Sequence, residues 1–161
     1  EPRSYLSLAA ARALLQIDAR AAVGPVLDQY MARNDWSVAR VGTLLRDAGG
    51  DAAGPALVER LLAGTPAQQM KLLPLAHLAA DTYGGQVVQQ VLEGATDAGV
   101  LGLALQLVQG QASLERARAL LEHPDWEVRS QAALALGRIG QPIDRARLIA
   151  LLSDREWWVR F

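Results

Sequence analysis

The chain has 161 residues, 51% of them apolar, with 16 basic and 17 acidic side chains and a net charge of −1. That balance excludes a global field drawing the protein onto nucleic acid or an anionic membrane, and the absence of cysteine excludes disulfides, thiolate metal sites and thiol catalysis. Abundant Ala and Leu with a single Phe suit close-packed helices better than aromatic-rich sheets, and no run approaches the roughly 20 apolar residues of a membrane-spanning helix.

The predicted elements are pairs of helices recurring about every 31 residues, the mark of stacked helical repeats. The first pair, in residues 1–33, is predicted as helix A over about Ser4 to Ile17 and helix B over about Ala21 to Ala32. In 34–64, Asp35-Trp36-Ser37-Val38 leads into a second A helix ending near Asp47; Gly49-Gly50 breaks it, and Asp51 is expected to cap a B helix reaching Ala63. In 65–95, Thr65-Pro66-Ala67-Gln68 has the form of a capping box with proline at the first helical position. Its A helix is expected to reach Ala80, and Gly84-Gly85 precedes a B helix to about Leu92. The shorter 96–122 carries a glycine-rich A helix, Ala98 to Val108, and a B helix from Ser113 to Leu121.

The fifth unit, 123–153, is the most regular, and a sixth begins at 154–161: Trp126-Glu127-Val128-Arg129 returns as Trp157-Trp158-Val159-Arg160, 31 residues on. Shifting the fifth unit back by 122 residues sets Ala132, Ala133, Ala135, Leu136 and Ile139 over Ala10, Ala11, Ala13, Leu14 and Ile17, so the register survives four periods. Val128, Ala132, Leu136 and Ile139, with Ala133 alongside, form one helical stripe. Leu148, Leu151 and Leu152 are expected to face it from the B helix, since neither helix can bury its stripe alone.

Taken together, Asp125-Trp126-Glu127-Val128-Arg129, the run Ala132 to Gly140 and Leu151-Leu152-Ser153-Asp154 resemble the HEAT-repeat family, in particular its short bacterial subtype also found in phycobilin lyase subunits. The likeness is strong over 120–161, fair over 1–63 and weak over 64–119. It implies an all-α fold, a right-handed α-α superhelix or α-solenoid of about five helical hairpins forming one domain. It also implies a protein-binding scaffold, because a repeat of this type describes a surface rather than a site. A minority of such proteins are accessory lyases or HEAT-like DNA glycosylases, which is the alternative reading.

Two sets of residues stand out. Val128-Arg129 and Val159-Arg160 have Asp125 and Asp154 just upstream, and an arginine at one repeat's start pairing with an aspartate near the previous one would give a polar ladder of Asp125, Arg129, Asp154 and Arg160. The tryptophans Trp36, Trp126, Trp157 and Trp158 all sit at A-helix starts, where they either form an aromatic row for a peptide partner or cover the edge of the preceding B helix; one of Trp157 and Trp158 is expected to be exposed. Trp36, Trp126 and Trp158 are therefore candidate partner-binding residues, with the basic cluster Arg116, Arg118, Arg138, Arg145 and Arg147 beside them, which Glu115, Glu122, Glu127 and Asp144 offset.

No catalytic, metal or cofactor site is expected. The two histidines, His77 and His123, lack the i, i+3 or i+4 spacing of helical metal ligands and any nucleophile beside them, and the His-Glu pairs of metal-binding HEAT-type hydroxylases are absent. His123 aligns with Asp154 at a capping position. Neither Gly49-Gly50 nor Gly84-Gly85 is a phosphate loop, because no strand precedes and no Lys-Ser/Thr follows. The expectation is a non-enzymatic scaffold with a protein partner and no nucleic acid, cytoplasmic in this segment, and cut from a longer chain that carries membrane anchors or a catalytic domain elsewhere.

Overall fold

A computed structural model describes the backbone of residues 2–79 and 84–160, with the side chains of 2–4, 50, 77–79 and 84 left aside. Among the described residues every regular element is helical. Helices α1 (Pro2–Ile17), α2 (Ala19–Ala32), α3 (Val38–Ala48), α4 (Gly50–Ala63) and α5 (Pro66–Ala79) belong to a first compact unit, Glu1–Val87. Helix α6 (Gly84–Gly94) contains the boundary, and α7 (Ala98–Leu107), α8 (Leu114–Leu120), α9 (Trp126–Ile139), α10 (Arg145–Leu151) and α11 (Trp157–Arg160) belong to a second, Val88–Phe161. None of these helices is long and apolar enough to cross a membrane.

The helix starts follow from local chemistry. The first N–H groups of a helix have no partner inside it, so a side-chain oxygen just before them is stabilising. Asp18 accepts from the Ala21 N–H at 3.1 Å, Asp97 from that of Val100 at 3.0 Å and Asp125 from that of Glu127 at 2.8 Å. The Thr65–Gln68 capping box closes as expected, with the Thr65 N–H donating to Gln68 Oε1 at 2.9 Å. Ahead of α3 it is Ser37 that accepts, from the Arg40 N–H at 3.3 Å. The break at Gly49-Gly50 is narrower than expected: Gly50 is already helical, and Asp51 lies in the first turn of α4 without capping it. Gly49 makes the bend possible because a Cβ there would stand 2.5 Å from the Leu45 carbonyl oxygen. The B helices of the last two complete repeats each open with a 3-10 turn, Gln111–Ser113 and Pro142–Asp144. The expected helix end at Ala80 and the His77 side chain lie outside the described residues.

Packing alternates in the way of an α-solenoid. In the first unit the A helices α1, α3 and α5 pack in succession, and the B helices α2 and α4 pack together; in the second, α9 lies between α7 and α11 and also against α8. The first seam buries Leu15, Val23, Leu27, Val41, Leu45, Leu57, Leu61 and Leu72. The second buries Val100, Leu101, Leu105, Ala117 and Leu120 together with the α9 stripe of Val128, Ala132, Ala135, Leu136 and Ile139. The expected facing stripe on α10 is not buried: Leu148 and Leu151 are half-exposed and Leu152 is 65% exposed.

Candidate functional site

Arg129 is the best-held polar residue of the second unit. Its Nε and Nη2 donate to the two carboxylate oxygens of Asp154, each at 2.8 Å, and its Nη1 donates to the carbonyls of His123 and Pro124 at 2.9 and 3.0 Å. Both side chains are nearly out of solvent. The fork of a guanidinium matches a carboxylate in plane, and burial strengthens the match. The guanidinium holds the Asp154 carboxyl down at about 2, helped by the Glu156 N–H, and the carboxylate in turn raises the Arg129 pKa. Of the expected ladder one rung is seen, and in the opposite direction, because Arg129 reaches forward to the next repeat's aspartate rather than back. Asp125 is no rung; it caps its own helix. His123 takes the place of Asp154 one period earlier, its Nδ1 accepting from the Asp125 N–H at 3.1 Å as Asp154 accepts from that of Glu156 at 2.8 Å. Arg160 repeats half of Arg129's arrangement, its Nη1 donating to the carbonyls of Asp154 and Arg155 at 2.6 and 3.2 Å.

The tryptophans divide. Trp36 is buried at 5% exposure and its indole N–H donates to Ser7 Oγ at 3.3 Å, so it closes α3 onto α1 and is withdrawn as a partner-binding residue. Trp126, Trp157 and Trp158 are 39, 47 and 54% exposed. Trp158 stands between the other two, 3.7 Å from the Trp157 ring centre and 6.3 Å from that of Trp126, tilted by 31° and 25°. Both members of the Trp157-Trp158 pair are therefore exposed, where one was expected. Indoles that lean on one another form an apolar ridge, and aromatic side chains with few rotatable bonds lose little entropy on contact.

This period and this geometry meet a match to known proteins: a family model described as HEAT repeats covers residues 78–161, more than half of the chain. The chain belongs to the HEAT-repeat family. No curated protein and no solved structure matches it. HEAT repeats are in general protein-interaction scaffolds, and the match begins well before residue 120, where the likeness in the sequence first becomes strong.

The HEAT stack also decides the fate of the arginine cluster. Arg118 lies across two repeats, its Nε and Nη2 donating to Asp144 at 2.6 and 2.9 Å with Glu115 beside Nη1. Asp144, 1% exposed, also accepts from the Gln141 N–H at 2.8 Å, and Arg118 first and that N–H second bring its carboxyl to about 2. Arg116 donates to the Leu92 and Ala95 carbonyls, both at 3.2 Å, at the end of α6. Arg138 donates to the Leu105 carbonyl at 2.6 Å, at the end of α7. These three are corrected from partner-binding residues to links between helices, because each satisfies carbonyls or a carboxylate that burial would otherwise leave unpaired. Arg145 and Arg147 are exposed, Arg147 with Asp144 at 3.5 Å. Sequence reasoning missed Gln111 and Gln141, which meet at 3.0 Å while Gln111 donates to the Ile139 carbonyl at 2.6 Å. Their signal was present as Gly-Gln at 110–111 and 140–141, one repeat apart.

Proposed function

We propose that this chain is a non-enzymatic scaffold that holds a protein partner, and that the ridge of Trp126, Trp158 and Trp157 is the surface it uses. The observation that carries this reading is a row of three indoles, Trp158 paired with Trp157 on one side and Trp126 on the other, 39 to 54% exposed on a unit whose other large apolar side chains are mostly internal. Partner segments with apolar or proline-rich side chains would lie across the ring faces, where tryptophan contributes most to interface energy. The DNA-binding alternative needs arginines free to meet phosphates, and Arg116, Arg118 and Arg138 are each engaged with another helix.

The test places a photo-crosslinking amino acid at Trp157, with a control at Arg20 in the first unit. A single protein captured from Trp157, and at least about ten-fold less of it when Trp126→Ala and Trp158→Ala are added, is the expected result. Equal capture with and without the two indoles sinks the reading, as does duplex DNA binding that falls steeply with salt.

A further inference from the structure

Two successive turns of the second unit are closed by different chemistry. A shift of 31 residues carries His123 onto Asp154. Each closes the turn ahead of an A helix by accepting the N–H two residues on: Asp154 Oδ1 from Glu156 at 2.8 Å, His123 Nδ1 from Asp125 at 3.1 Å. The two acceptors differ toward protons. The Asp154 carboxyl is held at about 2, first by the Arg129 guanidinium, so it accepts at any ordinary pH. A ring nitrogen accepts only while it carries no proton, and histidine is the side chain whose charge ordinarily changes between about pH 5 and 8.

The contact also fixes where a proton goes. With Nδ1 accepting, the neutral ring carries its hydrogen on Nε2, and the second proton must enter at Nδ1, where donor would face donor. The charged groups around the ring do not offset that loss. His123 sits in a groove of about 500 Å³ lined also by Glu122, Arg129, Asp154 and Arg155. Two of these are cations, and Asp154 is filled by the Arg129 fork. Asp125 is engaged with the Glu127 N–H, and Glu122 and Glu127 are exposed, where water screens them.

The turn holds more than its own cap. Arg129 Nη1 donates to the His123 and Pro124 carbonyls at 2.9 and 3.0 Å, and Arg155 Nη2 reaches the Pro124 carbonyl from the following turn at 3.0 Å. Those carbonyls aim the rest of the guanidinium at Asp154, each oxygen of which it meets at 2.8 Å. A path of hydrogen bonds thus runs from the His123 ring through its turn and Arg129 to the next repeat.

We infer that His123 is a proton-operated latch between these two repeats. Neutral, it closes the turn that aims Arg129 at Asp154; protonated, its ring leaves the Asp125 N–H and the joint loosens. Every group the latch needs lies between His123 and Glu156 and meets its partner there. Trp126 begins α9 directly after the turn, so the latch also reaches the proposed partner surface, and that step alone rests on the reading of the ridge.

The test follows the ring and the joint by NMR from pH 8 to pH 5. The expected ring at pH 8 is the Nε2–H tautomer. As it gains its second proton, the protection of the Asp125 amide and of the Arg129 Nε–H, corrected for the intrinsic pH dependence of exchange, falls about five-fold or more. His123→Asn and His123→Asp, whose side-chain oxygens accept the N–H two residues on without titrating in this range, keep their protection throughout. A hydrogen on Nδ1 at pH 8 overturns the inference, as does a ring that gains no proton above pH 5. So does a ring that titrates while both protections hold, or an equal fall in His123→Asn. Capture from Trp157 is read separately at pH 7.5 and 5.5, with a loss at the lower pH that His123→Asn restores as the expected result. Capture equal at both values while the amides respond overturns the reach to the ridge, and capture absent at both tells against the ridge and not the latch.

Discussion

The two units are built from the same repeat but joined in different ways. In the second, successive repeats are linked by two arginine–aspartate forks largely withdrawn from water, Arg118–Asp144 and Arg129–Asp154. In the first, the comparable ion pairs lie in solvent: Arg12–Asp47 at 3.3 Å is half-exposed on both sides, and Arg60–Asp28 at 3.0 Å leaves the carboxylate 59% exposed. The first unit relies instead on apolar seams and on neutral or single-ended contacts. Tyr30, buried at 2% exposure, donates its hydroxyl to the Lys71 carbonyl at 3.2 Å, and Lys71 Nζ donates to the carbonyls of Met31 and Arg33 at 3.1 and 2.5 Å, where α2 ends. A helix end satisfied by a lysine needs no partner of fixed geometry, whereas a buried fork admits one register only. The forks of the second unit therefore fix how the repeats they join sit on one another, and the lysine-held helix end of the first asks less of its neighbour.

The largest expected effect breaks this contrast from the second unit. Arg129→Ala leaves Asp154 charged and enclosed, a change that costs about 3–5 kcal/mol. Calorimetry should show the loss in a transition assigned by amide exchange to residues 88–160, with protection in α2 to α5 kept. Equal loss of protection in both units would show that the fork is not local to its unit.

Acid sharpens the same contrast. With folded pKa values of about 2, Asp144 and Asp154 lie below the ordinary carboxyl value near 3.9. A depressed folded pKa stabilises the fold above the unfolded value, and that stabilisation is lost as the pH falls from about 4 through about 2. The second unit should therefore lose stability over that window. In a variant carrying Asp144→Asn and Asp154→Asn, already less stable at pH 7, this part of the slope should flatten. A slope identical to the parent's would show that other carboxylates govern acid unfolding.

The third effect comes from two glycines, one in each unit. At Gly49 an added Cβ meets the Leu45 carbonyl oxygen at 2.5 Å, and backbone cannot yield as a side chain tip can; Gly49→Ala should cost about 1–3 kcal/mol in the first unit. At Gly137, exposed within α9, a Cβ meets nothing within 4 Å, and Gly137→Ala should stabilise the second unit by about 0.5–1 kcal/mol. Urea midpoints at constant m-value read both.

What could be read in the sequence follows the same division. The period, the helix pairs and the cap at Thr65 were legible because they are local: an oxygen before a helix and a stripe along it need no knowledge of the rest of the chain. That arginines and aspartates at the repeat starts would pair was legible, but not that Arg129 meets Asp154, since alignment says which positions recur and not which neighbour they face. The fates of Trp36 and Trp126 were not legible. They occupy equivalent places, yet Ser7 and α1 cover the first while the second meets Trp158, a residue with no counterpart in the other repeats. Nor was the sorting of the arginines, because a guanidinium reaching the Leu92 or Leu105 carbonyl crosses to a helix whose position only the packed stack supplies.

The smallest effect is the one that bears most directly on why the units differ. Arg12→Ala removes an ion pair whose side chains are 51 and 49% exposed, where water screens the charges and the long side chain loses rotamer freedom in pairing. The expected change is below about 0.5 kcal/mol, and it should shrink further in 0.5 M salt. Arg118→Ala, made in parallel, removes a guanidinium 15% exposed from a carboxylate 1% exposed and should keep nearly all of its larger cost at the same salt. The salt dependence, more than either magnitude, separates the two kinds of joint: a contact made in water fades with ionic strength, and one made away from water does not. If both variants responded to salt alike, the forks of the second unit would be no more sheltered in solution than the surface pairs of the first.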